Sequence, residues 1–536
     1  MTGSGRLRWL ADARVALAAF GAVLLAAIPL LLTWGNKWWF WADDWDFLAA
    51  RTGGNLGDLF RPHYQHWTTL PIIAYRALWW MFGIRSYAPY QLLVILLHLT
   101  AVALLRAIMR RAGVRPWPAT LLGGVFVFFG AGAENILIAF QIAFVGALVF
   151  GLTQLLLADH DGPINRRDWL AIVAGLAGMM CSGVGVTMAI VVAIAMLLRR
   201  GWRIALMQAA PLGAAYLVWS VASPKGYDTV DYGTHSPVLI IKFAVIGAGS
   251  AFGRLGQVPG LGVVLGLVVL VGIVLAVDRE GLHEIRARFA VPLALLVGAG
   301  LFLLLTGVVR AGEPAGLKGA FGIGPDRARQ SRYVYLVAAM ALPTIGIAVD
   351  AVARRWRLMT IPIVALVLAG VPGNLHELRI YAAQGRPYRE QTRVTILEAP
   401  RLPLAHELPQ FLSPAHFNGL SLGWLVDSLP SGRIPSPGKL DQTQISTMTL
   451  KLMLRTGPQI KPSFKACVPL TETTPRVMRQ FQRLTLKTGV AMITYVPPDG
   501  APSRPMPFPA HSTVVATYGP LQLEIKPVRQ PASLCG

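Results

Sequence analysis

Charge is what this chain has least of: Asp, Glu, Lys and Arg make up 14% of its 536 residues, against 54% hydrophobic ones. Apolar runs recur from the N-terminus to about residue 372, and crossing ~30 Å of hydrocarbon takes roughly 20 apolar residues per segment. Together these exclude a soluble domain over that stretch and read as a polytopic membrane protein. Cysteine is nearly missing as well. Of three, Cys181 lies in an apolar run, while Cys467 and Cys535 flank the last polar segment. The first apolar run, Ala16 to Trp34, lacks a small-residue cleavage site. It follows Arg6, Arg8 and Arg14 and runs into Trp34, Trp38, Trp39 and Trp41, which suits an uncleaved anchor with an aromatic interfacial belt better than a secretory signal. There is no fixed-period repeat or low-complexity tract. Carboxylates are scarce beside bases, 26 to 49, for a formal charge of +23. Much of that excess sits in short loops between apolar runs, where arginine sets topology, so it does not point to nucleic acid.

Five arginine clusters fix an orientation: Arg106, Arg110, Arg111 and Arg115; Arg166 and Arg167; Arg199, Arg200 and Arg203; Arg279, Arg286 and Arg288; Arg354, Arg355 and Arg357. With all five and the N-terminus cytoplasmic, the apolar runs between them come in pairs. Hydropathy gives about eleven spans, near residues 14–34, 88–105, 117–131, 135–157, 169–181, 184–198, 203–222, 261–277, 289–309, 333–352 and 358–372. The fifth and sixth are short and joined at Cys181-Ser182-Gly183, so they are either tilted or partly re-entrant. Residues 71–82 read as a helix in the interface or as an extra span. Residues 373–439 form a proline-rich connecting segment, and residues 440–536 show short alternating runs broken by proline and glycine, the pattern of a small β-rich domain. The expected fold is therefore an α-helical polytopic membrane domain, 1–372, followed by an extracytoplasmic β-rich domain. An odd count of spans puts that domain on an oxidising side, where a Cys467–Cys535 disulfide would close it.

The outer loops carry the ionisable groups. In the first, Trp41-Ala-Asp43-Asp44-Trp45-Asp46 sets three carboxylates beside a span, costly unless they are solvated, paired or used. A carboxylate here could deprotonate a sugar-acceptor hydroxyl or merely cap an interfacial helix. Trp41, Trp45 and Phe47 would desolvate the cluster. The same loop holds His63 and His66, three apart in Arg61-Pro-His-Tyr-Gln-His-Trp67, a spacing that predicts a shared helix face. A lone histidine pair without cysteine does not fill a structural zinc site. Hydrogen bonding to sugar or phosphate, loop packing, and a divalent cation completed by Asp43, Asp44 or Glu134 are the readings left open. The second loop, Gly130-Ala-Gly-Ala-Glu134-Asn135, reads as a tight corner. Its Glu134 either faces a cavity, with Gln141 as polar neighbour on the following helix, or supports the start of that helix. The third loop is rich in arginine against the positive-inside rule: Arg310, Lys318, Arg327, Arg329, and Arg332 in Gln330-Ser-Arg-Tyr333. It calls for an anion, either a lipid-borne phosphate gripped by guanidinium forks or anionic headgroups. Tyr227, Asp228, Asp231, Tyr232 and His235 occupy another outer loop that suits sugar recognition but more simply is solvated. Gly183-Val-Gly-Val186 reads as a close helix contact or turn.

An uncleaved first span, a long outer loop with an acidic pair, many further spans and an outer C-terminal domain resemble the layout of the C-type membrane glycosyltransferases (the GT-C superfamily). The resemblance covers residues 1 to about 372. It implies an inverting transferase that takes a sugar from a polyprenyl-phosphate donor, with Asp43 or Asp44 as general base. Asp46 is an addition to the family's usual acidic pair. The resemblance also implies a role for Glu134 as the second-loop acid, and it singles out Arg332, with Tyr333, in the Ser-Arg-Tyr triplet. The acceptor would be an envelope glycan, lipid or protein on the outer face of the cytoplasmic membrane. No cofactor is required by this reading, a divalent cation being an option. A transporter or flippase of lipid-linked sugars and a non-catalytic envelope-assembly protein are the rival readings. The first of these would prefer mid-membrane ionisable residues and internal repeats.

Overall fold

The computed structural model of the chain describes residues 13–36, 38–51, 55–223, 232–278, 282–312, 324–415, 417, 419–438, 440–456, 464 and 466–536. Arg6, Arg8, Tyr227, Asp228, Asp231, Arg279 and Lys318, singled out from the sequence, lie outside the described residues. The structure is 67% helical. It divides into two compact units, one of Met1–Trp38, Gly53–Leu78 and Tyr87–Arg386, the other of Trp39–Thr52, Trp79–Ser86 and Pro387–Gly536.

In chain order the main helices begin with α1 (Ala13–Gly35), α2 (Asp44–Leu48), α3 (Thr69–Phe82), α4 (Ala88–Arg111), α5 (Pro116–Val127), α6 (Ala133–Leu137) and α7 (Ile142–Ala158). They continue with α8 (Arg166–Met179), α9 (Val184–Arg200), α10 (Trp202–Ala222), α11 (Pro237–Gly256), α12 (Leu261–Asp278), α13 (Leu282–Arg310) and α14 (Ser331–Arg355). The last are α15 (Thr360–Ala369), α16 (Val371–Ala383), α17 (Arg386–Glu398), α18 (Leu422–Ser428) and α19 (Gln442–Met453). Among the described residues, eight helices are long and apolar enough to cross a membrane. A ninth results if α5 and the segment Gly130–Leu137, bent from it by 49°, form one broken span.

The first unit is a helical bundle whose arginines gather at one end. α4 ends in Arg110 and Arg111, α9 in Arg199 and Arg200, and α14 in Arg354 and Arg355, where basic side chains also answer the negative ends of the helix dipoles. Three buried carboxylates tie these ends together. Asp159 takes Arg111 on one oxygen and Arg199 on the other, both at 3.1 Å. Asp168 takes Arg200 and His160 Nε2 and completes the capping box with Asn165 that starts α8. Asp350 takes Arg115, just before α5, and Arg354. The start of α1 joins the same end, where Thr120 Oγ1 donates to Ala16 O at 3.1 Å.

The opposite end collects the finish of α10, where Trp219 Nε1 donates to Phe60 O at 2.8 Å, the finish of α13, and the start of α14. α11 corrects the sequence reading, which assigned no apolar helix to 237–256. Its residues form a 20-residue helix, and both of its ends meet this far end. Before it, Thr234 N donates to Val308 O at 2.8 Å. At its close, Asn374 Nδ2 donates to Arg254 O at 3.1 Å, while the Asn374 Oδ1 accepts from Ala131 N. A helix of spanning length whose two ends contact the same end of the bundle lies across it and does not run along it. The second loop also departs from a tight corner. Gly130–Gly132 makes one 3-10 turn and α6 follows, so Glu134 belongs to the bent continuation of α5, and Gln141 to a separate 3-10 turn after Ile138.

The second unit is built on a seven-stranded antiparallel sheet: β1 (Leu454–Thr456), β2 (Cys467–Pro469), β3 (Thr474–Met478), β4 (Arg483–Tyr495), β5 (Met506–Pro509), β6 (Ser512–Ala516) and β7 (Leu521–Cys535). Its central order is β1-β6-β4-β7-β2, with β3 on β7 and β5 on β4. Alternation is clean along β7, where Leu521, Leu523 and Ile525 face the core and Gln522, Glu524 and Lys526 face out, as a half-buried strand requires. Cys467 stands opposite Cys535 in the β2–β7 ladder and is joined to it by a disulfide. The core continues into the proline-rich stretch, burying Leu402, Leu408, Leu412 and Leu422 with the sheet residues, so the C-terminal segment of the unit runs from Pro387 and takes in most of the expected connector.

Replacing Asp168 by Ala leaves Arg200 buried without its counter-ion and His160 without its hydrogen-bond partner, a loss of about 3–5 kcal/mol. Asp161, 87% exposed, also pairs with Arg199, but Asp161→Ala is expected to leave stability nearly unchanged. Melting temperatures of the two variants in the same detergent check the contrast.

Candidate functional site

Within the helical unit, the candidate residues assemble from three segments. The first is the histidine turn. His63 and His66 do not share a helix face. They exchange backbone hydrogen bonds across a tight turn, His63 N to His66 O at 3.0 Å and His66 N to His63 O at 2.9 Å, with Tyr64 in the left-handed region at φ 52°. Pro62 and the left-handed residue both work against a helix here. The turn is held from below by Trp67, stacked on Trp219 at 5.3 Å and donating from Nε1 to Thr69 Oγ1. His66 reaches in over Gly183, where a Cβ would lie 2.8 Å from its Nδ1. The glycine therefore serves a close approach, in agreement with the contact reading of the Gly183–Val186 run.

The second segment is α6. Glu134 Oε1 accepts from Gln141 Nε2 at 2.8 Å and lies 3.7 Å from Arg332 NH1, while the Glu134 N–H donates to Ser331 Oγ at 3.2 Å. Its side chain thus engages the arginine loop and does not cap a helix. The neighbouring Asn135 is fully buried, and neither of its amide atoms has a hydrogen-bond partner among the described residues. Burying such a group unmet costs about 1–3 kcal/mol, so Asn135 asks for a ligand or water beside Glu134. The third segment is the arginine loop. Gln330 Oε1 accepts from both Nε (3.1 Å) and NH2 (2.8 Å) of Arg332, which orients the guanidinium.

Arg310 and Arg332 both act on His66. Burial first, then the positive charges of His63, Arg310 and Arg332, pull its imidazole from 6.5 down to about 4. At neutral pH His66 is an uncharged hydrogen-bonding ring beside two permanent cations, an arrangement suited to holding an oxyanion. The other arginines of the loop have different partners: Arg327 lies 3.6 Å over the Tyr232 ring and Arg329 pairs with Asp326 at 3.2 Å. The Tyr333 ring packs between Phe243 and Phe302, about 6 Å from each. His235 begins the approach to α11.

The acidic segment belongs to the second unit, where it packs on the stretch that follows Pro387. Trp41 meets Tyr388 at 5.3 Å and Phe417 at 4.9 Å, both edge-on, and Trp45 meets Trp424 at 6.3 Å. Gly419, at φ 86°, admits the segment. A Cβ there would lie 2.9 Å from Asp46 Cα. The three aspartates differ in what they do. Asp44, fully buried, accepts the Trp41 N–H at 2.8 Å. Asp46 forms a buried pair with Arg51, through Nε at 3.0 Å and NH2 at 2.8 Å. Asp43 is half-exposed at the N-cap of α2 and makes no side-chain cap bond, which leaves it the accessible carboxylate of the three. Arg51 and Trp424 escaped sequence reasoning, while Gln330 and Ser331 were read only as part of the Gln330–Tyr333 motif. Only the five-residue spacing of Asp46 and Arg51 offered a signal.

Among the described residues, no three His, Cys, Asp or Glu side chains converge as a metal site would need, so no step is assigned to a cation. Set against known proteins, the chain matches no family model, no curated protein and no solved structure.

Because the folded-state pKa of His66 is depressed, the unfolded chain takes up its proton first as pH falls. The contribution is complete above about 6.5 and is lost toward about 4. Melting temperature measured across that window should fall more steeply for the wild type than for His66→Gln. Parallel profiles would contradict the assignment.

Proposed function

We propose that this protein is an integral-membrane glycosyltransferase of the GT-C type, moving a sugar from a polyprenyl-phosphate donor to an envelope glycan, lipid or protein acceptor. In this reading the chain sits in the cytoplasmic membrane with its arginine-rich end inside. Eleven crossings alternate from α1 to α15–α16, α11 lies near the outer surface, and the disulfide-closed unit is outside. The observation that carries the reading is the Arg332–Glu134–Gln141 group at the end of the bundle away from the arginine-rich end, with Arg310 and Arg332 close enough to act electrostatically on His66. Outer arginines beside a neutral imidazole are what a lipid-borne phosphate requires.

Chemically, the acceptor hydroxyl loses its proton to a carboxylate, a role for which Asp43 is the candidate within its own unit, the oxygen attacks the anomeric carbon from the side opposite the phosphate, and the C–O bond to phosphate breaks in the same inverting displacement. Arg310 and Arg332 take up the charge that develops on the departing phosphate. Gln330 positions Arg332, Gln141 positions Glu134, and Glu134 with Asn135 offers hydrogen bonds to sugar or acceptor hydroxyls. Asp44 shapes the turn that presents Asp43. Asp46 holds the turn through Arg51. The edge-on aromatic group of Trp41, Tyr388 and Phe417 supplies the apolar surface on which a sugar face rests.

Asp43→Asn, reconstituted with labelled polyprenyl-phosphate sugars offered one at a time, is expected to lose about 10²–10⁴-fold in transfer while remaining folded. Asp46→Asn should instead lower the melting temperature. Full transfer by Asp43→Asn would refute Asp43 as the base, and no transfer by the wild type with any donor would refute the enzyme reading and leave a lipid-sugar transporter or an assembly protein.

A further inference from the structure

At the arginine-rich end, α4, α7, α9 and α13 leave a cavity of about 180 Å³, with Arg111, Arg199, Arg288 and Asp159 on its wall and an apolar floor that includes Leu155 and Pro292. Asp159 is shared: one oxygen meets Arg111 Nε and the other Arg199 Nε, each at 3.1 Å. The lining thus carries three guanidiniums and one carboxylate, and Asp161 outside it also pairs with Arg199 at 3.0 Å. Part of this arrangement is structural. Arg111 NH1 donates to Leu156 O at 3.2 Å, and α4, α7 and α9 all finish here, where cations suit the dipoles. Capping does not account for Arg288, which enters from the amino-terminal part of α13, where the helix dipole gives a cation no help. It is admitted at Gly113, where a Cβ would lie 2.6 Å from its NH2.

We propose that this cavity binds a phosphate group, carried by the headgroup of an anionic phospholipid or present as free phosphate. Guanidiniums converging from three helices match the oxygens of a phosphate in forked geometry. A basic pocket between helices, floored with apolar side chains, accepts both a charged headgroup and the first methylenes behind it. The site is separate from the His66–Arg332 group and does not depend on the proposed transfer reaction.

The test uses the full chain, purified in detergent and stripped of lipid. Native mass spectrometry counts retained phosphatidylglycerol against phosphatidylcholine, and melting temperature is followed with and without inorganic phosphate. The wild type is expected to retain phosphatidylglycerol selectively. Arg288→Gln should weaken retention about fivefold, the effect of one surface basic residue on an anionic headgroup. Arg288→Lys keeps the charge but loses the fork and should fall between the two. Arg357→Gln, outside the lining, should behave as wild type. Phosphatidylglycerol that survives added phosphate identifies a lipid site; stabilisation by phosphate alone, without lipid retention, identifies a soluble ligand. Equal retention of both lipids by wild type and Arg288→Gln, with no response to phosphate, would overturn the proposal.

Discussion

Buried carboxylates shared between cations govern this molecule. Asp159, Asp168 and Asp350 each hold two basic partners at one end of the helical unit, and they join helices far apart in sequence. An isolated buried charge would cost several kcal/mol, and a bridged one still repays its desolvation only if the geometry is kept. The bridges therefore act mainly as registration. They set the ends of α4, α5, α8, α9 and α14 at one level, and the chain that leaves that level reaches the far end where His66, Glu134 and Arg332 meet. Scarce acid in a basic chain thus has a defined place, since nearly every buried aspartate in the bundle is engaged with arginine.

The same logic recurs in the other unit with a different outcome. Asp46 and Arg51 form a buried pair five residues apart, and the aromatic side chains around them fix a short acidic segment against Gly419 and Trp424. Two aspartates are consumed in building the turn, and the third is left half-exposed. A cluster that looks redundant as a sequence resolves into two buried aspartates with different partners and one half-buried one.

Hydropathy made most of the bundle legible, because length and apolar composition of a segment are local properties. The segment 237–256 was passed over although α11 is no less apolar than 202–222, which was assigned as a span, and nothing nearby says that both of its ends meet one end of the bundle. The strand alternation of β7 was readable for the same reason as the spans. The histidine spacing misled because three-residue separation fits a helix face, while Pro62 and the left-handed Tyr64 turn the chain back on itself. Gln141 was legible as the polar neighbour of Glu134, whereas the contacts of Glu134 N with Ser331, of Trp41 with Tyr388 and of Trp45 with Trp424 were not, since tertiary folding brings these residues together. The candidate residues could thus be nominated from sequence, but their division of labour could not.

The seating of the acidic segment on residues beyond Pro387 has a consequence for biosynthesis. Trp39 to Arg51 emerges early, whereas Tyr388, Phe417, Gly419 and Trp424 are made after the whole helical bundle. At ~5–20 residues per second the interval is on the order of tens of seconds. Through that time Trp41 and Trp45 lack Tyr388, Phe417 and Trp424, and the compact unit can close only when the C-terminal part of the chain arrives. A truncated or stalled chain would then carry a complete set of membrane helices and an unassembled acidic loop, so the proposed base would be set in place only in a chain whose synthesis has finished.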